Sequence, residues 1–357
     1  MRATLHPLAR HPLHDRPLRI GMLAPIAWRV PPRHYGPWER VVSLLTEGLV
    51  RAGADVTLFA TADSHTGARL SAVVPSPYEE TSDMDAKVWE GLHLAHAFGQ
   101  ARDFDLIHNH YDFLPLTYAS LVDTPVVTTI HGFSSERILP VYRAYDGRAH
   151  YVSISDADRH PDLAYLATIH HGLDFNEFTF QPRAGEYLLF FGRIHPDKGA
   201  ADAIRVARAA GFPLVLAGIV QDTGYFEREV KPQLSADIRY VGAAGPIERD
   251  RLLGGALGLL HLIHFDEPFG LSVVEAMACG TPVVAYKRGS MQELIEHGVS
   301  GFLVGNEAEA VAAAGRLGSL DRAAVCAQVD KFSVARMVDA YLAVYHAVLL
   351  GQRGSAP

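Results

Sequence analysis

The chain has 357 residues, enough for two domains, and its 48% hydrophobic and 20% charged content is typical of a soluble α/β protein. A formal charge of −8 argues against nucleic acid as a partner, and only two cysteines, Cys279 and Cys326, argue against a disulfide scaffold or a cysteine zinc site. Residues 1–17 lack an apolar core of signal-peptide length, and no run reaches the roughly 18–20 apolar residues of a spanning helix, so a cytoplasmic protein is expected, with peripheral membrane contact still compatible and no feature specifying an oligomeric state.

The first unit opens with a strand over residues 18–23, followed by a polar, Pro-rich loop over 25–36. Trp38, Val41, Val42, Leu45 and Leu49 then recur at helical spacing, Gly53 supplies a stop, and residues 56–60 form the next strand. Further strands are predicted at 106–108, 126–130, 151–154 and 167–170, with helical segments between them. Apolar density drops over 172–185, which reads as a linker. A second unit repeats the rhythm, with strands at 187–191, 214–217, 238–241, 258–263 and 282–285. A last helix starts near Ser333, an N-cap residue, and carries an apolar stripe of Val334, Met337, Val338, Tyr341, Tyr345, Val348 and Leu349. The expected fold class is α/β: two Rossmann-like, doubly wound parallel-sheet domains over 1–172 and 173–332, then a helix and tail over 333–357. Ligands of such sheets sit beyond the carboxyl ends of the strands, and two such units in tandem imply a cleft between them.

Residues 264–286, HFDEPFGLSVVEAMACGTPVVAY, carry the most information. They read as strand, acidic loop, helix, glycine stop and strand, with Glu267 before the helix and Glu275 within it. A helix N-terminus favours phosphate, so acids placed there are costly unless they accept hydrogen bonds from sugar and ribose hydroxyls. The bland alternative is one loop charge and one surface acid. Pro268 and Gly270 weaken it, because they shape the loop for close backbone approach. In FFGRIHPDKG, residues 190–199, Arg193 and Lys198 are cations placed to stabilise a leaving diphosphate, or else belong to a solvated basic loop. His131 ends a predicted strand and is either a capped structural residue or a site residue. His108, His110 and Asp112 in HNHYD look like two metal ligands and a carboxylate, but no third ligand with convincing spacing follows. Acceptor contacts or polar lining are therefore preferred over a metal site. His170 and His171 read as linker structure, and the aromatic-rich loop over 28–38 as acceptor surface or a packed cover.

Glu267 and Glu275 form the E-x7-E pattern of retaining glycosyltransferases, and the words around them match closely. GRIHPDKG resembles that family's diphosphate-binding loop, GPWERVVSLL (36–45) its N-terminal glycine-rich turn, HHGLDFNEF (170–178) its linker and IRYVG (238–242) its base-binding strand end. From residue 18 to about 350 the chain resembles glycosyltransferase family 4. The resemblance implies the GT-B fold, with the last helix crossing back to the first domain, the acceptor on the first domain and the donor on the second. It implies that Glu267 accepts from hydroxyls of a donor hexose, that the amides of Phe269, Gly270 and Leu271 face sugar and phosphate, and that Glu275 holds the ribose. Arg193 and Lys198 would clamp the diphosphate, main-chain groups near Tyr240 and Val241 would meet the base, and His131 would lie near the donor sugar. The Gly36 amide would meet phosphate, but Pro37 replaces a second family glycine and lacks an amide hydrogen.

The expected activity is retaining transfer of a hexosyl group from a nucleoside diphosphate sugar to an acceptor hydroxyl. UDP-sugars are favoured and GDP-mannose is second, on family frequency. The acceptor would be a sugar, a lipid-linked glycan or a small molecule. No cofactor or metal is implied beyond the sugar nucleotide. The rival readings are a nicotinamide-dependent oxidoreductase, a non-catalytic sugar-nucleotide binder, and a GT-B epimerase or phosphorylase. The first wants GxGxxG after the opening strand, and GMLAPIAW (21–28) lacks it.

Overall fold

The computed structural model describes residues 6–133 and 135–351. Their contacts divide the chain into two compact units, one running to Gly172 and resuming at Val334, the other Leu173–Ser333.

The first unit holds β1 (Arg19–Leu23), β2 (Asp55–Phe59), β3 (Arg69–Ser71), β4 (Leu106–Asn109), β5 (Val126–Ile130), β6 (His150–Ser153) and β7 (Tyr165–Thr168). They pair in parallel in the order β3-β2-β1-β4-β5-β6-β7. Runs such as VVTTI in β5 are buried along their whole length, as expected where helices cover both faces of a parallel sheet. The chain direction across the sheet reverses between β1 and β4, so the loops after these two strands share one crevice.

The helix Pro37–Ala52 follows β1's loop. Pro37 occupies its first turn, where a missing amide hydrogen costs nothing. Val41, Val42, Leu45 and Leu49 are its buried stripe, and Gly53, at φ 97°, ends it by donating to the carbonyls of Leu49 and Val50. The helix Val334–Leu349 packs on it so closely that a Cβ on Gly48 would lie 2.4 Å from Val338 Cγ2. The last helix thus belongs to the first unit, as the family resemblance implied.

The chain leaves the first unit at Gly172 and re-enters it at Val334, and the flanking backbones are tied by a Leu173 amide to Phe332 carbonyl bond of 2.7 Å. A Cβ at Gly172 would sit 2.7 Å from the Val334 Cα.

The second unit holds β8 (Leu188–Phe191), β9 (Leu214–Ala217), β10 (Ile238–Tyr240), β11 (Gly258–His261), β12 (Val283–Tyr286) and β13 (Gly301–Val304), in parallel order β10-β9-β8-β11-β12-β13. Its core joins Leu188, Phe190, Leu214, Leu216, Leu260 and Val284 to Ala203, Ile204 and Ala207 of the helix Ala200–Ala210. Each fully buried aliphatic side chain of this kind contributes about 1.5–3 kcal/mol.

Three strands depart from the sequence expectation. β7 lies earlier than residues 167–170, and β3 and β13 were not anticipated. All three are outermost strands, where one neighbour is missing and the apolar pattern is short or interrupted.

Candidate functional site

In the second unit the order reverses between β8 and β11, and the loops after these strands carry the basic and the acidic motif. After β8 the chain makes a short turn at Pro196–Lys198 and enters the helix Ala200–Ala210 through Gly199, at φ 73°. A Cβ there would lie 1.8 Å from the Leu262 carbonyl oxygen, so only glycine lets this loop pack against the chain leaving β11. Arg193 is held in place by Asp197 (2.6 Å) and by Gln221 (2.7 Å). Lys198 Nζ donates to Glu267 Oε2 at 2.6 Å and lies 4.5 Å from the centroid of the Phe265 ring. Side chains 69 residues apart in sequence therefore meet, with 18% and 13% of their surfaces exposed.

Glu267 is braced from several directions. Its carbonyl accepts from the Ser290 amide at 3.0 Å, and Gly289 approaches so closely that a Cβ there would fall 2.4 Å from the Glu267 nitrogen and oxygen. His261 Nε2 lies 3.6 Å from Glu267 Oε2, an approach longer than a hydrogen bond. Burial pushes the carboxyl up, but His261 and Lys198 outweigh it and hold it down at about 2, so Glu267 is ionised at neutral pH. Gly270, at φ 99°, opens the helix Leu271–Ala278, and its carbonyl accepts from the Val273 amide at 3.0 Å. Glu275 lies on that helix, 4% exposed, and meets Arg249 Nη1 at 3.3 Å. Arg249 also donates to Glu177 at 2.9 Å. The two acids of the E-x7-E pattern thus stand in separate ion pairs, Glu267 with Lys198 and Glu275 with Arg249.

At the end of β10 the Tyr240 hydroxyl donates to the Gly218 carbonyl at 2.8 Å, beside Phe226. The Val241 side chain is 44% exposed, but its amide is spent on the Leu216 carbonyl. Of the main-chain groups near Tyr240 and Val241, the Val241 amide is thus already paired within the sheet.

In the first unit, Gly36 at φ 143° precedes Pro37, and the Trp38 ring stacks on His131 at 5.3 Å. Glu39, 3% exposed in the first helical turn, accepts from the Trp28 amide at 3.3 Å. Burial pushes its carboxyl up to about 7, against partial relief from its own and the Trp28 amides.

The histidines form a buried hydrogen-bonded file. The Tyr345 hydroxyl is 2.7 Å from His108 Nδ1, which is 3.2 Å from His110 Nε2. His110 Nδ1 is 2.9 Å from His131 Nε2, and His131 Nδ1 is 3.3 Å from His171 Nε2. His108 Nε2 reaches Thr129 at 2.8 Å, which also meets Tyr341. A consistent assignment places the proton on Nε2 of every ring, with the Tyr345 phenol donating to His108. Burial drives His108, His110 and His131 well below their usual value, and His171 down to about 3.

One expectation is corrected here. His108 and His110 are fully buried and committed to neighbours, so they brace His131 instead of presenting an acceptor surface. Asp112, half-buried at φ 56°, accepts from the Tyr142 hydroxyl at 2.6 Å. His171, read as linker, is also part of the file. Among the described residues no group of three or more His, Cys, Asp or Glu side chains is arranged to hold a metal ion, and no helix is long and apolar enough to cross a membrane.

Gln221, Arg249, His261, Gly289 and Ser290 were missed in the sequence. They come from loops, a strand and a helix scattered across the second unit, with no spacing to link them to the motifs.

The model of Glycosyl transferases group 1 matches residues 175–320, and that of Glycosyltransferase Family 4 matches residues 38–178. The chain is 29% identical over 335 residues to a Mycobacterium tuberculosis glycogen synthase, covering 77% of this chain and 80% of the relative. It is 30% identical over 230 residues to the D-inositol 3-phosphate glycosyltransferase of Mycolicibacterium smegmatis, covering 58% of this chain and 52% of that one. Among solved structures, AviGT4, a glycosyltransferase involved in avilamycin A biosynthesis, superposes with a TM-score of 0.69 at 24% identity, over 94% of this chain and 99% of its own. Anabaena HepE in complex with UDP-glucose superposes with a TM-score of 0.70 at 20% identity, over 93% of this chain and 100% of its own. With the two family models covering its two units in turn, this chain belongs to glycosyltransferase family 4 and is a glycosyltransferase of the GT-B fold class.

Proposed function

We propose that the protein moves a hexosyl group from a nucleoside diphosphate sugar to an acceptor hydroxyl, with retention and without a metal ion. A UDP-sugar is the first choice of donor and GDP-mannose the second. The observation that carries this reading is the Lys198–Glu267 pair, which joins a diphosphate-type basic loop to a hexose-type carboxylate at the switch point of one sheet. The UDP-glucose complex of HepE supports the donor choice, and a 26% identical phosphatidyl-myo-inositol mannosyltransferase keeps the mannosyl alternative open.

In the proposed step, the bond between the anomeric carbon and the diphosphate oxygen breaks as the acceptor oxygen bonds to the same face. The departing phosphate oxygen takes the acceptor's proton. Arg193 and Lys198 stabilise the charge growing on that oxygen, and Glu267 orients the hexose through its hydroxyls. Glu275 would hold the ribose hydroxyls, and the amides of Phe269, Gly270 and Leu271 would meet sugar and phosphate. His131 stays neutral at working pH, so it serves as a hydrogen-bonding group and not as a proton carrier. The acceptor is a sugar, a lipid-linked glycan or a small molecule, and the setting is cytoplasmic, with peripheral membrane contact for a lipid-linked acceptor.

Incubation with UDP-glucose or GDP-mannose and an acceptor panel tests the reading through its products. Transfer yields free nucleoside diphosphate and a glycoside of unchanged anomeric configuration. An epimerase would return an isomerised sugar nucleotide, and a phosphorylase a sugar phosphate. Arg193→Ala and Lys198→Ala should each lower turnover by about 10²–10³. Near-native turnover in both variants contradicts the assignment.

A further inference from the structure

The two carboxylate oxygens of Glu267 have different surroundings. Oε2 takes Lys198 at 2.6 Å and faces His261 Nε2 at 3.6 Å, whereas no described residue hydrogen-bonds Oε1. His261 ends β11, is 6% exposed, and its buried Nε2 has no hydrogen-bond partner among the described residues. A buried ring nitrogen left unpaired is destabilising, so its persistence beside a carboxylate calls for a reason. The backbone of His261 is fixed by pairing with Ala285 in the middle of the sheet, so the ring is delivered from a rigid element. Lys198, by contrast, comes from a loop on a flexible stem.

On the donor-site reading above, Lys198 also serves the diphosphate. An ammonium drawn to phosphate oxygens relaxes its hold on Glu267, and a nearly buried carboxylate losing its closest donor is strongly disfavoured. His261 is already aimed at the oxygen that Lys198 would vacate. We propose that His261 is a positioning residue for the donor sugar: its Nε2–H takes over Glu267 Oε2 as Lys198 turns to the diphosphate, leaving Oε1 to the hexose hydroxyls. This rests on the donor-site reading. It makes the contribution of His261 specific to sugar-bearing nucleotides, because a bare nucleoside diphosphate has no hexose for Glu267 to hold.

Calorimetric titration of the full chain with UDP, UDP-glucose, GDP and GDP-mannose tests it. His261→Phe keeps a ring but removes the donor. It should weaken the sugar nucleotide that the native protein prefers by about ten- to a hundredfold, the range for a lost hydrogen bond to a charged group, and leave the matching diphosphate within about twofold. His261→Gln restores an N–H and should recover most of the loss. His261→Ala, which adds no bulk, carries the same expectation as the Phe variant if that one fails to fold. A His261→Phe or His261→Ala protein that binds the sugar nucleotide like the native one overturns the proposal. So does an equal loss for diphosphate and sugar nucleotide, which marks general damage to the pocket. A native protein that binds none of the four overturns the donor-site reading, and this proposal with it.

Discussion

Glu275, proposed above as a ribose contact, is also an architectural residue. Its carboxylate meets Arg249, a guanidinium only 8% exposed that also bonds Glu177. Removing one member of a buried ion network leaves the others desolvated and under-paired. Glu275→Leu should therefore lower the unfolding free energy by about 3 kcal/mol, read as a shifted urea midpoint, whether or not nucleotide is present. A variant as stable as the native chain would make Glu275 a pure ligand contact. The sequence made Glu267, Glu275, Arg193 and Lys198 legible, because a Gly-bounded loop between strand and helix keeps its acids and cations at fixed spacing. It did not make Arg249 legible: on the helix Pro246–Gly254 it looks like any solvated charge, and only the fold turns it inward.

Arg322 is the corresponding case among the elements. From the helix Arg322–Ala327 its guanidinium donates to the carbonyls of Gln181 (2.6 Å), Ala256 (3.0 Å) and Gly254 (2.9 Å) and to Thr281 Oγ1 (2.7 Å). It thereby ties together the segment before β8, the turn before β11 and the stop of the helix Leu271–Ala278. Arg322→Ala would leave those buried acceptors without their donor, at a cost of about 3 kcal/mol or more. Because the helix Leu271–Ala278 of the proposed donor site ends in this region, sugar-nucleotide affinity should fall with stability. Chemical denaturation of the variant checks the first expectation; a midpoint unchanged from the native chain contradicts it. Central strands were readable as continuous apolar runs, since both faces are covered. The outermost strands β3, β7 and β13 were not, because a short edge strand owes its existence to one neighbour and leaves little periodicity of its own.

Across the molecule, the βαβ rhythm and the apolar dip after Gly172 made both units visible in the sequence, and the tandem pattern pointed to the fold class. The burial of the histidines was invisible, because a His on a parallel strand reads the same whether it meets solvent or another ring. That burial has a global consequence. His93 is pushed down to about 4 and His171 to about 3 from an ordinary 6.5, with His108, His110 and His131 also well below it, all by desolvation. As pH falls below 6.5 the unfolded chain takes up protons on these rings and the folded chain does not, so stability falls toward pH 4. Each such ring contributes a slope of about 1.4 kcal/mol per pH unit in that window. Glu39 opposes them between about 7 and 4.5, because its folded carboxyl binds a proton that the unfolded one releases, but it is a single group. Urea midpoints near pH 7.5 and near pH 5 should differ strongly, with the acidic sample weaker; equal midpoints would place these rings in water. The central claim is that Lys198 and Glu267 form the cradle of a sugar-nucleotide donor, and its most direct test is titration of the native protein and of Glu267→Gln with UDP-glucose and GDP-mannose. The account predicts that the native protein binds one of them and that Glu267→Gln binds it at least about tenfold more weakly while still binding the bare diphosphate. Equal affinity of the two proteins for the sugar nucleotide, or no binding by the native protein, would contradict it.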